Sequence, residues 1–227
     1  MRRGALALAM AAALMAGAAP LPAAQMLEKP PAALDAAKAY VLVRIGERGP
    51  KGLLGTLMLS PYDPEAQDIR GRGRSKGNSL PPKADDKVVI GPGKALAGGD
   101  HVATYLVAMT PGRYVISNSP TTCFCLGSYQ FEAEAGSITD LGLIYVGPEN
   151  GTSPWAVLAQ LRSSPDIEDT GYTVADAMAI YPWKEGMSVP ASIAALPRQA
   201  ATYSPAPRLG NHYGKLLNRA LPLGGGQ

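Results

Sequence analysis

The sequence is short of the groups that most enzyme chemistry uses. Among 227 residues there are two cysteines, two histidines, two tryptophans and two phenylalanines. His101 and His212 show no ligand spacing to the cysteines, so no zinc or copper signature is present. No Cys-x-x-Cys redox motif occurs. Gly-x-Ser-x-Gly, His-Glu-x-x-His and a phosphate-binding glycine loop are also missing. A second long apolar run is lacking, which leaves no candidate for a membrane crossing after the first residues. Charge is scarce on balance too. The formal net charge of +3 includes Arg2 and Arg3, and without them the chain is close to neutral. That removes any global electrostatic argument for nucleic acid.

What is present begins at the start of the chain. Arg2 and Arg3 precede a small-apolar run over residues 5–19, and small residues continue to Ala23 and Ala24. This is the layout of a secretory signal peptide. Residues 1–24 are assigned to it, with cleavage after Ala24; cutting after Ala18 or Ala23 is the alternative. The apolar run is too short and too rich in Ala for a spanning helix, which needs about 20 residues. An exported protein of the periplasm or outer cell envelope is expected.

Gly (26) and Pro (21) are abundant, which fits a loop-rich β protein better than a helix bundle. The expected fold is mainly β: an antiparallel β-sandwich with a long insertion and a Pro-rich C-terminal arm with short helices. Residues 25–38 are a lead-in. Residues 39–147 form the sandwich, within which 61–97 read as a mobile basic insertion. Residues 148–227 form the arm. Strands are expected over residues 39–46, 53–59, 102–109, 113–117, 128–134 and 138–146. Residues 128–134 alternate cleanly, with Tyr129, Phe131 and Ala133 on one face and Gln130, Glu132 and Glu134 on the other. In 138–146, Leu141, Leu143 and Tyr145 share a face. Pro111 and Gly112 occupy the two central positions of a type II turn. In the arm, Ser153 opens a short helix, and residues 173–180 and 188–196 each give a turn or two. Trp155, Tyr181, Trp183, Tyr203 and Tyr213 are the anchors that tie the arm to the sandwich. Tyr105, Tyr114, Trp155 and Trp183 are candidate interface residues, with core packing the main role of the two strand tyrosines.

The segment from Met109 to Ile116, with Pro111, Gly112 and Tyr114 at its centre, resembles the strand, Pro-Gly-x-Tyr, strand corner of secreted bacterial sandwich domains. Carboxypeptidase-regulatory, prealbumin-like domains and some envelope families have this corner. Residues 131–142 are similar to the next hairpin of such proteins, and the whole chain resembles secreted proteins of alphaproteobacteria. The resemblance covers residues 101–146. It implies a β-sandwich and says little about function.

Two constellations carry candidate chemistry. Cys123 and Cys125 form Cys-Phe-Cys. In an exported protein such thiols are open to oxidation. On a regular strand their Cα atoms stand about 6.5–7 Å apart, at the edge of disulfide reach. A strained local disulfide, two buried thiols, and a metal or redox site are the readings. The second constellation is Arg70, Arg72, Arg74 and Lys76, separated mostly by glycine. It suits phosphates or anionic head groups, or is a solvated loop. No aromatic is interleaved, so base stacking is not expected.

The functional expectation is an exported non-catalytic envelope protein with a structural or partner-binding role and no cofactor. Its partner is an envelope protein or an anionic lipid or polysaccharide, not nucleic acid. The alternative is a periplasmic metal-binding or redox protein using Cys123 and Cys125.

Overall fold

A computed structural model describes residues 24–46, 55–70, 87–98, 102–119, 122–123, 128–146, 172–174 and 178–206. The expected signal segment before Ala24, the helix expected from Ser153, and Trp155 and Tyr213 lie outside the described residues.

The described chain forms two sheets. The first runs in the order β1 (Gln25–Leu27), β7 (Val102–Met109), β2 (Ala39–Gly46), β11 (Ile138–Val146), β13 (Met178–Tyr181), β12 (Tyr172–Val174). Two short strands join it, β6 (Ala97–Gly98) on β7 and β14 (Arg198–Ala200) on β11. The second runs β15 (Ser204–Ala206), β10 (Ser128–Ala133), β8 (Gly112–Ser119), β3 (Leu57–Asp63), β4 (Asp68–Ile69). On it, β5 (Val88–Ile90) pairs with β3 and β9 (Thr122–Cys123) with β8. The architecture is the expected mainly-β sandwich. Pairing is antiparallel except that β11 runs parallel to both β2 and β14. No described helix is long and apolar enough to cross a membrane.

The alternation of β10 is realised. Tyr129, Phe131 and Ala133 are buried in the core between the sheets, while Glu132 and Glu134 are exposed. Apart from Arg44, β2 is an apolar run, because it is covered on both faces. Val41, Val43 and Ile45 enter the inter-sheet core. Tyr40 and Leu42 face outward into a second cluster with Leu106, Ile138 and Ile193. Ile193 belongs to a single 3-10 turn, Ala191–Ile193, in the stretch from Pro182 to Pro197 that covers this outer face.

The Pro111–Gly112 turn has the expected positive φ, +141° at Gly112. It is a corner between sheets, since β7 and β8 lie in different ones. Tyr114 Oη donates to the Thr110 carbonyl at 2.9 Å and braces that corner. Residues 134–137 are also a crossing, from β10 in one sheet to β11 in the other, where a hairpin was expected.

Several local expectations change. The second strand begins at Leu57 and runs on to Asp63, because Tyr62 has a buried site to fill. It thus extends into the stretch expected to be an insertion, of which the described part contributes β4 and β5. Residues 173–180, expected as helical turns, hold β12 and β13 in their described positions; pairing of β13 with β11 and of β12 with β13 supplies the order that local propensity lacks. The shared face of Leu141, Leu143 and Tyr145 is broken. A register irregularity between Asp140 and Leu143 slips the alternation by one residue. Leu141 and Ile144 are therefore the core residues, and Leu143 is only half-buried. Of the arm's expected anchors, Tyr181 and Tyr203 are buried and Trp183 is half-buried. Tyr203 meets Tyr129 and Phe131 edge-on and donates to the Leu141 carbonyl at 2.7 Å.

Tyr105 and Tyr114 make opposite predictions for one substitution. Tyr105 is fully buried in the core and its hydroxyl has no hydrogen-bond partner among the described residues; burial pushes its phenol above the ordinary value. An unpaired buried hydroxyl costs about 1–3 kcal/mol. Tyr105→Phe is therefore expected to leave stability unchanged or raise it. Tyr114→Phe loses the corner bond and is expected to cost about 1 kcal/mol. Urea denaturation of both variants checks the contrast, and a large loss in Tyr105→Phe contradicts it.

Candidate functional site

The two constellations expected from sequence are not assembled within the described residues. Cys123 ends β9 and pairs opposite Asn118 of β8; Cys125 lies outside the described residues. Arg70 is exposed, with its amide bonded to the Pro61 carbonyl at 2.8 Å; Arg72, Arg74 and Lys76 lie outside. Among the described residues, no group of three or more His, Cys, Asp or Glu side chains can hold a metal. Glu132 is engaged at the surface by Arg113 at 3.1 Å.

A different polar cluster sits on the outer face of the first sheet. Alternation along β2 turns Arg44 to the same side as Tyr40 and Leu42. Alternation along β11 turns Asp140 to the same side as Ile138. The parallel pairing of these two strands then brings Arg44 and Asp140 together. Arg44 Nη2 lies 3.2 Å from each carboxylate oxygen of Asp140. The irregularity just after Asp140 bends the chain so that the Gly142 amide donates to Oδ1 at 2.8 Å.

Gly142 also marks a change of neighbour. Before it, β11 pairs with β14 through Ile138–Asp140; after it, β11 pairs with β13 through Leu143–Val146. β14 begins with Arg198, opposite Ile138. Its Nε lies 3.8 Å from Asp140 Oδ2, an ion pair too long to be a hydrogen bond. The Arg198 guanidinium lies over the Trp183 ring, with Cζ 4.6 Å from the ring centroid. Arg44 Nη1 reaches the Ser188 carbonyl at 3.4 Å. The covering stretch is thereby fastened to the sheet through Ser188, Trp183 and Arg198.

The cluster is nearly dry. The Asp140 side chain is 0% exposed, that of Arg44 13% and that of Arg198 12%. Burial is the strongest influence on Asp140 and pushes its carboxyl above the ordinary range. The charge of Arg44, the Gly142 amide, the Arg44 hydrogen bonds and the charge of Arg198 pull in the opposite direction. Desolvation outweighing attraction is common for buried ion pairs. Arg44 Nε, Arg198 Nε, Arg198 Nη1 and Trp183 Nε1 are buried without a hydrogen-bond partner among the described residues. The arrangement holds two cations against one carboxylate, with donors to spare. It can pin the cover.

The signal for this cluster was a charge in each of two strands that otherwise read as apolar. A buried charge requires a partner. Arg44 within residues 39–46 and Asp140 within 138–146 each posed that requirement, but only the strand order shows that they answer one another. Compared with known proteins, the chain matches no family model, no curated protein and no solved structure.

Proposed function

We propose that the protein is an exported, non-catalytic component of the cell envelope, in the periplasm or at the outer envelope, with a structural or partner-binding role. The observation that carries this reading is the position of the first described strand. The leader predicts cleavage after Ala24, and β1 begins at Gln25, paired with Ala108 of β7. The sheet thus takes up the chain at the first residue expected after processing. The Asp140 cluster supports the non-catalytic part. Its carboxylate accepts from Arg44 and Gly142 and fastens the cover, the work of a structural pin. The envelope partner is an envelope protein or an anionic lipid or polysaccharide.

Intact-mass spectrometry on protein exported by a cell that makes it tests the reading. A chain running from Gln25 to Gln227 is expected. An unprocessed mass in the cell interior overturns it. Alkylation with and without reduction, on the same sample, tests the metal or redox alternative. That alternative requires two reactive thiols or a bound metal that is lost in the Cys123→Ser, Cys125→Ser double variant.

A further inference from the structure

We propose that the outer face of the second sheet is the docking surface for the chain's own C-terminal segment, residues 207–227. Alternation builds the face. Leu59, Tyr114, Ile116 and Phe131 enter the core, so Ser60, Val115, Ser117 and Gln130 beside them in the strands point outward. Pairing sets these residues side by side: Val115 lies opposite both Ser60 and Gln130, and Ala206 of β15 lies opposite Ser128. Tyr62, Ile69, Val115 and Ala206 form one apolar cluster on this side. Next to it Ser60 Oγ and Ser117 Oγ lie 2.8 Å apart.

The face is buried, yet no described element lies on it. Ser128 and Val115 are 0% exposed, and Ser60 and Tyr62 are buried with them. Outward residues of a bare antiparallel sheet face water. Every described strand belongs to one of the two sheets, and the described 3-10 turn packs on the outer face of the first. Ser128 Oγ and Gln130 Oε1 are shielded and have no hydrogen-bond partner among the described residues. Shielded polar atoms of this kind ordinarily meet a partner. The burial therefore calls for a covering segment.

Tether and pattern choose the segment. Residues 71–86 carry one large aliphatic side chain, Leu80, too little for an apolar centre. Residues 147–171 join β11 to β12, both in the first sheet. Residues 207–227 start at the face itself, because β15 ends at Ala206, a member of the apolar cluster. A tether at the site makes docking intramolecular and raises the effective concentration. Asn211 is a good N-cap residue. Tyr213, Leu216, Leu217, Ala220 and Leu221 then recur with the spacing of one helix face, and His212, Lys215, Asn218 and Arg219 fall on the other. Pro222 follows as a stop signal. A helix over 211–221 spans about 16 Å, and the sheet from β15 to β4 is about 19 Å across. Tyr213, expected from sequence to anchor the arm, heads the apolar stripe. Lys215 and Arg219 suit the acidic β3–β4 corner, which carries Asp63, Glu65 and Asp68.

The test uses the full chain with the photo-reactive residue p-benzoylphenylalanine placed singly at Leu217, Asn218, Leu158 or Leu80. Cross-linked peptides are mapped by mass spectrometry. Leu217 is expected to cross-link within its own chain to peptides that carry Tyr62, Val115 or Ser128, well above Asn218 on the opposite side of the stripe. Cross-links from Leu217 to the first sheet, none at all, or equal yields from Leu217 and Asn218 overturn the proposal. So do cross-links from Leu158 or Leu80 to the face in place of Leu217, which would assign the cover to 147–171 or 71–86. A cross-linked dimer in place of the internal product makes a second copy the occupant and overturns it as well. A second readout needs no label. Leu216→Asp, Leu217→Asp is expected to raise the unfolding equilibrium constant at least about tenfold in urea denaturation, because two leucines lose their burial. Asn218→Asp is expected to leave it unchanged. Equal stability of the double variant and the parent chain overturns the docking. Neither measurement depends on export, so the envelope reading stands or falls separately.

Discussion

Asp140→Ala is expected to lower the stability of the protein by about 3–5 kcal/mol, the cost typical of removing one partner from a buried ion pair. The two arginines cannot lose their charge to escape the problem, because a guanidinium stays protonated in proteins. Both would remain largely buried beside an empty space, and the Gly142 amide would lose its acceptor. For a chain of this size the loss corresponds to a melting temperature lower by roughly 10 °C. Urea denaturation with two optical probes measures it. The triple variant Arg44→Met, Asp140→Leu, Arg198→Met is expected to recover most of the loss, since apolar replacements of whole buried ion clusters are often neutral or stabilising. A loss below about 1 kcal/mol in Asp140→Ala would show that water, not the carboxylate, balances the arginines.

Gly142→Ala is expected to be at least as damaging, above about 4 kcal/mol, the range reserved for severe local conflicts. Two effects combine there. Gly142 has φ +77°, a region that side chains disfavour. A Cβ would also run into the Tyr181 carbonyl oxygen and lie 2.7 Å from the Trp183 amide nitrogen. Those obstacles are backbone atoms at the exit of β13 and cannot rotate away. Gly136→Ala is the control. Gly136 has φ +71°, but its Cβ would meet nothing closer than the Ala36 Cα at 3.5 Å. It should cost only the conformational term, about 1–2 kcal/mol. Equal losses in the two variants would show that dihedral strain alone decides the effect. A further expectation is specific to Gly142. Shifting its amide weakens the bond to Asp140, so Gly142→Ala should also loosen the Pro182–Pro197 cover, read as faster amide exchange at Ser188 and Ile193.

Much of the fold was legible because β-structure writes its burial into the chain at short range. β10 shows this most plainly. Tyr129, Phe131 and Ala133 alternate with polar residues, and one face is buried. The corner at Pro111–Gly112 was readable because proline and glycine each supply one dihedral angle that the turn needs. β11 was misread at a single point. Alternation assumes an unbroken pleat, and the irregularity at Gly142 resets it, so Ile144 rather than Leu143 enters the core. β12 and β13 were misread for a different reason. Their segments carry no alternation of their own and become strands by pairing, β13 with β11 and β12 with β13.

The candidate site was far less legible. Cys123, Cys125 and the basic stretch at Arg70 drew attention because their residues are adjacent in sequence. Arg44, Asp140, Trp183 and Arg198 are far apart along the chain, and none belongs to a motif. Their meeting depends on three pairings: β2 with β11, β11 with β14, and the return of residues 182–197 across the outer face.

By itself, the sequence determined the class of the protein: a mainly-β chain with near-neutral charge beyond Arg2 and Arg3, and inward-facing aromatics on β10. These features depend on composition and on a two-residue repeat, both of which are local. Only the tertiary structure decided which strands are neighbours, which corners pass between sheets, and which charges share a buried space. Strand order and register arise from pairings between distant segments, and the energy of a buried charge depends on what those pairings place beside it. Asp140 is an unremarkable strand residue until β2 and β14 bring it two arginines.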